Sequence, residues 1–246
     1  MMNNIIWRTL SVLLFFIFSG ICQQSFQTDT VRTTAGDLTI TFIGHGTLMF
    51  TFKGNVIHVD PVSRYADYTA MPKGDLILVT HHHGDHLDSS AIAQVSKRET
   101  SYIYSKACKG KLPDSFPLNN GDEITIKGVT ILAVPAYNLV HKRETGEPFH
   151  PKAVGNGYVI TFGDKKVYIA GDTENVPEMK QLSGIDIAFL PMNLPYTMTP
   201  EMVADATRAF KPKILYPYHY GRTDVNELID LLKDFKETEV RIRQMP

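Results

Sequence analysis

From residue 37 onward the chain alternates short apolar runs with polar, glycine-bearing breaks, the pattern of strands buried on at least one face. The runs LTITFI (38–43), TLMFTF (47–52) and VIHVD (56–60) predict three early strands. Gly44, Gly46 and the Gly54-Asn55 turn punctuate them, so a meander is expected at the start. DLILVT (75–80) predicts a further strand, followed by a helix over 89–95. YIYS, ITIKG, VTILAV, YVITF, KVYIA and DIAFLP then predict a strand-rich middle. Two later stretches predict helices. One starts at Thr199-Pro200-Glu201 and runs to Phe210; the other spans about 224–235, with the strand KILYPY between them.

Hairpins mixed with strand and helix alternation indicate an α/β sandwich, with sheet inside and helices on the outer faces. With 246 residues, 43% hydrophobic and 21% charged, the composition is that of a globular protein with one sizeable core. The formal net charge of -1 offers no broad positive surface for a phosphate backbone, so nucleic acid is not an expected partner; a small-molecule substrate is.

The N-terminus departs from this pattern. Arg8 precedes the apolar run 10–21, which is short for a membrane span, and a polar stretch begins at Gln23; the layout is that of a signal peptide over 1–22. The expectation is export to the periplasm or the exterior with no stable membrane span after processing. Lipidation at Cys22 is disfavoured by the bulky Ile21 before it. A linker over 23–36 and a single catalytic domain over 37–246 complete the expected organisation. Cys108 would then be the one cysteine left, without a disulfide partner, and is expected as a small buried side chain. Nothing in the residues indicates the oligomeric state.

Nine histidines are present, and four crowd into THHHGDHLD at His81, His82, His83 and His86. The spacing His81-x-His83-x-Asp85-His86 puts imidazole and carboxylate donors in a turn too short to bury them apart, and shared divalent metal ions explain the crowding. This cluster, Asp172 and His219 each follow directly on an apolar strand. If those strands are parallel neighbours, their carboxyl ends bring all three into one pocket.

The His-x-His-x-Asp-His motif resembles the signature of the metallo-β-lactamase superfamily at every position from His81 to His86. FIGHG, HVDP, AGDT and PYHYG follow in the order that family shows. The resemblance implies a four-layer αββα fold. It implies two divalent ions, zinc by preference with manganese, iron or nickel as alternatives. Asp172 would bridge them, and His219 would complete the second ion with Asp85 and His86. Where the commoner pattern places a third histidine for the first ion, this sequence has Asn138, a weak ligand for zinc. Either that corner is open or a loop histidine closes it. His150, fixed between Pro148 and Pro151, is favoured over His141 in its charged run. Asp60 is expected to orient a histidine ligand. His45 is expected either to shape a turn or to wall the pocket, and His58 to be structural.

The family chemistry implied is hydrolysis by a water or hydroxide bridging the ions, with Asp85 as the catalytic carboxylate holding the second ion and orienting the nucleophile. Tyr137, Tyr220, His45 and Lys152 are candidates for stabilising developing charge. The pattern is most similar to the compact branch that includes ascorbate-phosphate lactonase and the N-acyl phosphatidylethanolamine phospholipases. A small ester, lactone or phosphodiester is therefore the expected substrate. The rival is a non-catalytic metal-binding protein on the same fold, which an open corner at Asn138 would favour.

Overall fold

The computed structural model describes residues 25–113 and 115–246; the expected signal peptide and Cys22 lie outside the described residues. Fourteen strands form two sheets of seven, each in simple chain order. The first contains β1 (Gln27–Thr33), β2 (Gly36–Gly44), β3 (Thr47–Phe52), β4 (Asn55–Val59), β5 (Leu76–Val79), β6 (Ser101–Ser105) and β7 (Phe116–Leu118). The second contains β8 (Glu123–Ile126), β9 (Val129–Ala136), β10 (Gly155–Phe162), β11 (Lys165–Ile169), β12 (Ile187–Pro191), β13 (Ile214–Tyr218) and β14 (Glu239–Val240). In both sheets the first four strands are antiparallel neighbours and the last four are parallel. The two halves therefore repeat one topology, which the sequence does not show as a repeat.

Three apolar cores define four layers. The central one interleaves Phe42, Phe50 and Leu78 of the first sheet with Tyr158, Phe162, Phe189 and Tyr216 of the second. A second core packs α2 (Pro177–Lys180), α3 (Pro200–Phe210) and α4 (Val225–Leu232) on the outer face of the second sheet. A third packs α1 (Ser89–Val95) on the outer face of the first. This is the αββα sandwich. Local chemistry starts the helices as expected: Asp88, Thr199 and Asp224 each accept backbone N–H bonds as N-caps, and Pro200 occupies the first turn of α3.

One boundary needs correction. Residues 27–33, expected within a linker, form β1, which pairs along its whole length with β2. The sequence QTDTVRT carries one aliphatic residue, Val31, so periodicity does not mark it. Edge pairing and an ion cluster hold it instead: Asp29 takes Arg243 Nη2 at 2.7 and 2.6 Å on its two oxygens, and Arg241 Nη1 lies 3.6 Å away. Cys108 is buried and makes no disulfide among the described residues, and burial pushes its thiol up to about 11. No helix among the described residues is long and apolar enough to cross a membrane.

The fold positions chemistry through its parallel strands. β4 and β5 end just before Asp60 and His81, and β11 and β13 end just before Asp172 and His219. The condition that these strands be neighbours is not met. β11 and β13 flank β12, whereas β5 belongs to the opposite sheet. Their carboxyl ends still meet, because backbone bonds cross between the sheets there: Asn156 N–H to Thr80 O (2.9 Å) and His219 N–H to His45 O (3.0 Å).

Phe189 is fully buried between the sheets, stacked on Tyr216 at 5.1 Å between centroids and close to Phe42, Phe50 and Tyr218. Phe189→Ala is expected to lower the unfolding free energy by about 3–5 kcal/mol in urea titration. Phe116→Ala, at an exposed edge position, should change it by less than about 0.5 kcal/mol.

Candidate metal centre

Asp172 follows β11 through Gly171, where φ is 64° and an added Cβ would come within 2.9 Å of Asn156 O, leaving no room for a side chain. The carboxylate that results is 5% exposed, and its two oxygens face two different groups of side chains. Oδ2 lies 3.2 Å from His150 Nε2 and 3.8 Å from His81 Nε2, and His81 Nε2 lies 3.1 Å from His83 Nδ1. Oδ1 lies 3.3 Å from His86 Nε2 and 3.5 Å from His219 Nε2. Asp85 Oδ2 is 3.6 Å from His219 Nε2 and 3.9 Å from His86 Nε2, closing the second group.

Both groups suit a divalent cation. An ion bound tetrahedrally through bonds of about 2.1 Å separates its donors by roughly 3.4 Å, and the observed separations scatter around that value. Buried His86 Nε2, Asp172 Oδ1 and both ring nitrogens of His219 have no hydrogen-bond partner among the described residues. A buried polar atom left so costs about 1–3 kcal/mol, which a bound cation would recover. His86 makes the demand explicit, since its Nδ1 faces Asp60 Oδ2 at 2.8 Å and its Nε2 faces Asp172 Oδ1. A neutral imidazole has one N–H, so a ring between two acceptors needs a proton or a metal at its second nitrogen. His150 is caught the same way between Asn138 Oδ1 (2.7 Å) and Asp172 Oδ2.

The electrostatics match this arrangement. Burial opposes charge on Asp172, but His219 and His86 outweigh it and hold the carboxyl well below the usual range. Burial opposes charge on Asp85 too, and the adjacent rings of His219 (3.6 Å) and His45 (3.3 Å) overcome that and lower it. For His86, burial disfavours the charged ring while Asp172 and Asp60 more than compensate, so it is raised. Burial, reinforced by neighbouring histidines, keeps His81 well below its ordinary value and pushes His83 down to about 4. The lowered carboxylates and the neutral His81 and His83 are in the forms that bind metal, whereas His86 would have to release its proton as an ion enters.

Supporting residues fix these ligands. Asp60 is 1% exposed; Oδ1 accepts from Thr80 N–H (2.8 Å), and Oδ2 accepts from Thr80 Oγ1 (2.7 Å) and His86 Nδ1. Gly46 is required beside it, since a Cβ there would come within 2.8 Å of His86 Cε1. His45 reaches further inward than a pocket wall: its Nε2 lies 3.3 Å from Asp85 Oδ2, and its donor atom sits within 4.8 Å of those of Asp85, His86 and His219. Its Nδ1 donates to Pro246 O at 3.1 Å. His58 is structural, bonded to Pro72 O and pushed down to about 4 by burial.

The structure therefore brings His81, His83, Asp85, His86, His150, Asp172 and His219 together and leaves His141 outside, with Nδ1 2.8 Å from Glu174 Oε1. Three expected helpers point elsewhere. The Tyr137 hydroxyl donates to Glu178, Lys152 binds the same carboxylate, and the Tyr220 hydroxyl donates to Arg243 O. The cleft over the site, about 320 Å³, is walled instead by Arg143, Phe149, Asn193 and Tyr196. None of these had been singled out. Arg143 and Phe149 stand in the loop of His141 and His150 and carry no metal donor, and Asn193 and Tyr196 follow β12, whose end carries no histidine or acid.

Comparison with known proteins follows the geometry. A family profile described as a beta-lactamase superfamily domain matches residues 39–219. A UPF0173 metal-dependent hydrolase of Methanopyrus kandleri is 31% identical over 195 residues, covering 74% of this chain and 84% of the relative. A crystal structure of a Parabacteroides distasonis protein, provisionally described as a metal-dependent hydrolase, is 53% identical. It covers 90% of this chain and 100% of its own, with a TM-score of 0.86. Igni18, a metallo hydrolase of Ignicoccus hospitalis, shares the fold at 24% identity and a TM-score of 0.69 over 84% of this chain and 95% of its own.

Asp60→Asn should weaken binding of one ion by about 10–100-fold in calorimetric titration of metal-stripped protein, leaving the other ion unaffected. Unchanged affinity for both ions would mean that Asp60 supports the fold alone.

Proposed function

This chain belongs to the metallo-β-lactamase superfamily, among its UPF0173 metal-dependent hydrolases, and on that premise we propose that it hydrolyses a small ester, lactone or phosphodiester at a dinuclear centre. The observation that carries the dinuclear reading is the buried Asp172, with each oxygen turned to a separate set of donors. His81, His83, His150 and Asp172 Oδ2 would hold one ion; Asp85, His86, His219 and Asp172 Oδ1 would hold the other. Imidazole and carboxylate donors in this number suit zinc, and also accept manganese, iron or nickel.

Divalent ions bound here would supply two things: a water acidified to near neutrality, and polarisation of the bond under attack. The protein supplies the rest. Asp85 is partly exposed to the cleft and held ionised by His219 and His45, so its carboxylate orients a water through hydrogen bonding and does not store that water's proton. His45, between Asp85 Oδ2 and Pro246 O, fixes that carboxylate's orientation. The non-catalytic rival depends on an open corner at Asn138; His150 Nε2, 3.2 Å from Asp172 Oδ2, supports a closed one.

Substrate class follows from the cleft wall. Arg143 is the one lysine or arginine in its wall among the described residues; it sits over the Phe149 ring at 5.2 Å, and Phe149 packs edge-on against Tyr196 at 5.0 Å. A substrate with an anionic group for the guanidinium and an apolar portion for the aromatic pair fits these walls. Export, supported by Arg8 and the apolar run after it, would place the reaction outside the cytoplasm.

Hydrolysis of a lactone, a carboxylate-bearing ester and bis(p-nitrophenyl) phosphate by zinc-loaded protein tests the reading, with loss of all three activities as the contrary result. Arg143→Ala should raise KM for the carboxylate-bearing ester by about tenfold, the worth of one charge-assisted hydrogen bond, and leave the neutral lactone unchanged.

A further inference from the structure

Glu174 is fully buried and has no lysine or arginine partner among the described residues. Its charge is met by N–H groups and by the His141 ring, whose Nδ1 lies 2.8 Å from Oε1. Oε2 accepts from Leu139 N–H (2.6 Å) and Val140 N–H (2.7 Å), and Oε1 accepts from His141 N–H (2.7 Å) and Asn138 Nδ2 (3.0 Å). Burying a carboxylate this way is costly unless every lone pair is used, and here the carboxylate organises the first turn of the loop that carries His150.

Asn138 is saturated as well. Its amide nitrogen gives one hydrogen to Glu174 Oε1 and the other to Tyr196 O (2.9 Å), while Oδ1 accepts from His150 N–H (3.1 Å) and faces His150 Nδ1 (2.7 Å). Asn138 N–H returns a bond to His150 O at 2.8 Å. A flipped amide would set its NH2 against the His150 N–H and its oxygen against a carboxylate and a carbonyl, so only one orientation satisfies the site.

We propose that Glu174 and Asn138 form a positioning relay that fixes His150 as its Nδ1–H tautomer and so aims an unprotonated Nε2 at Asp172 Oδ2. The logic is directional. The buried carboxylate orients the amide, and the amide oxygen, an acceptor only, claims the proton of Nδ1. A neutral ring then keeps its lone pair on Nε2. The residue at 138 thus acts from behind the ligand that replaces it, and the ligating nitrogen arrives from twelve residues further along the chain.

The inference rests on His150 being a ligand, as proposed above, but its test does not need turnover. In full-length protein stripped of metal by chelator, with circular dichroism to confirm the fold, imidazole 15N shifts of neutral His150 should show hydrogen on Nδ1 and a lone pair on Nε2. Asn138→Ala should shift the ring toward Nε2–H and weaken one of the two zinc ions by about 10–100-fold. Glu174→Gln, which retains the volume but loses acceptors, should move the same resonances in the same direction. A neutral Nε2–H ring in the wild type, or an Asn138→Ala variant with unchanged tautomer and zinc affinity, overturns the relay. If the tautomer and affinity results hold while no ester, lactone or phosphodiester is cleaved, the relay stands and the substrate reading falls.

Discussion

An imidazole held between two hydrogen-bond acceptors has one proton too few, and the centre of this protein is built on that shortage. His86 lies between Asp60 and Asp172, His150 between Asn138 and Asp172, and His45 between Pro246 O and Asp85. In each case the outer acceptor takes the ring's own N–H and leaves the inner nitrogen facing an oxygen. Such a cluster is tolerable only with cations in it. Protons can serve, as the raised His86 shows, but each carries a single charge and a single direction. A divalent ion satisfies several inner nitrogens and carboxylate oxygens at once, which is why the donors converge at 3.1–3.9 Å.

Holding acceptors and rings this close requires a stiff scaffold, and the two-sheet core provides it. Parallel strands from opposite sheets end at the same edge, and backbone bonds clasp the ends together. The chain accepts uncommon backbone conformations there: His45, Asp60 and His219 all have φ between 45° and 55°. Residues other than glycine occupy that region at a cost, and the surrounding core of Phe42, Phe189, Tyr216 and Tyr218 stabilises them in place.

Much of this was legible in the sequence because the elements are short and strongly apolar. LILV, KVYI and ILYPY announce buried strands, and the polar residue just after each is conspicuous for that reason. The histidine motif needs no long-range information, since its residues share one turn. What stayed hidden depends on contacts between distant segments. β1 is polar along its length and exists through pairing with β2 and the Asp29–Arg243 contact, separated by more than two hundred positions. Pro148 and Pro151 favoured His150 over His141, but nothing local to Asn138 revealed that its amide would support the replacement ligand. Glu174 stands two residues after Asp172 with nothing local to mark it; its burial, which gives it meaning, is a tertiary property.

The central claim is that one carboxylate, Asp172, serves two ions. Anomalous diffraction at the metal edge, on crystals of the full chain grown without chelator, tests it most directly. The account predicts two peaks, one against Asp172 Oδ1 among Asp85, His86 and His219, the other against Oδ2 among His81, His83 and His150. A single peak, with one Asp172 oxygen left without metal, would contradict it.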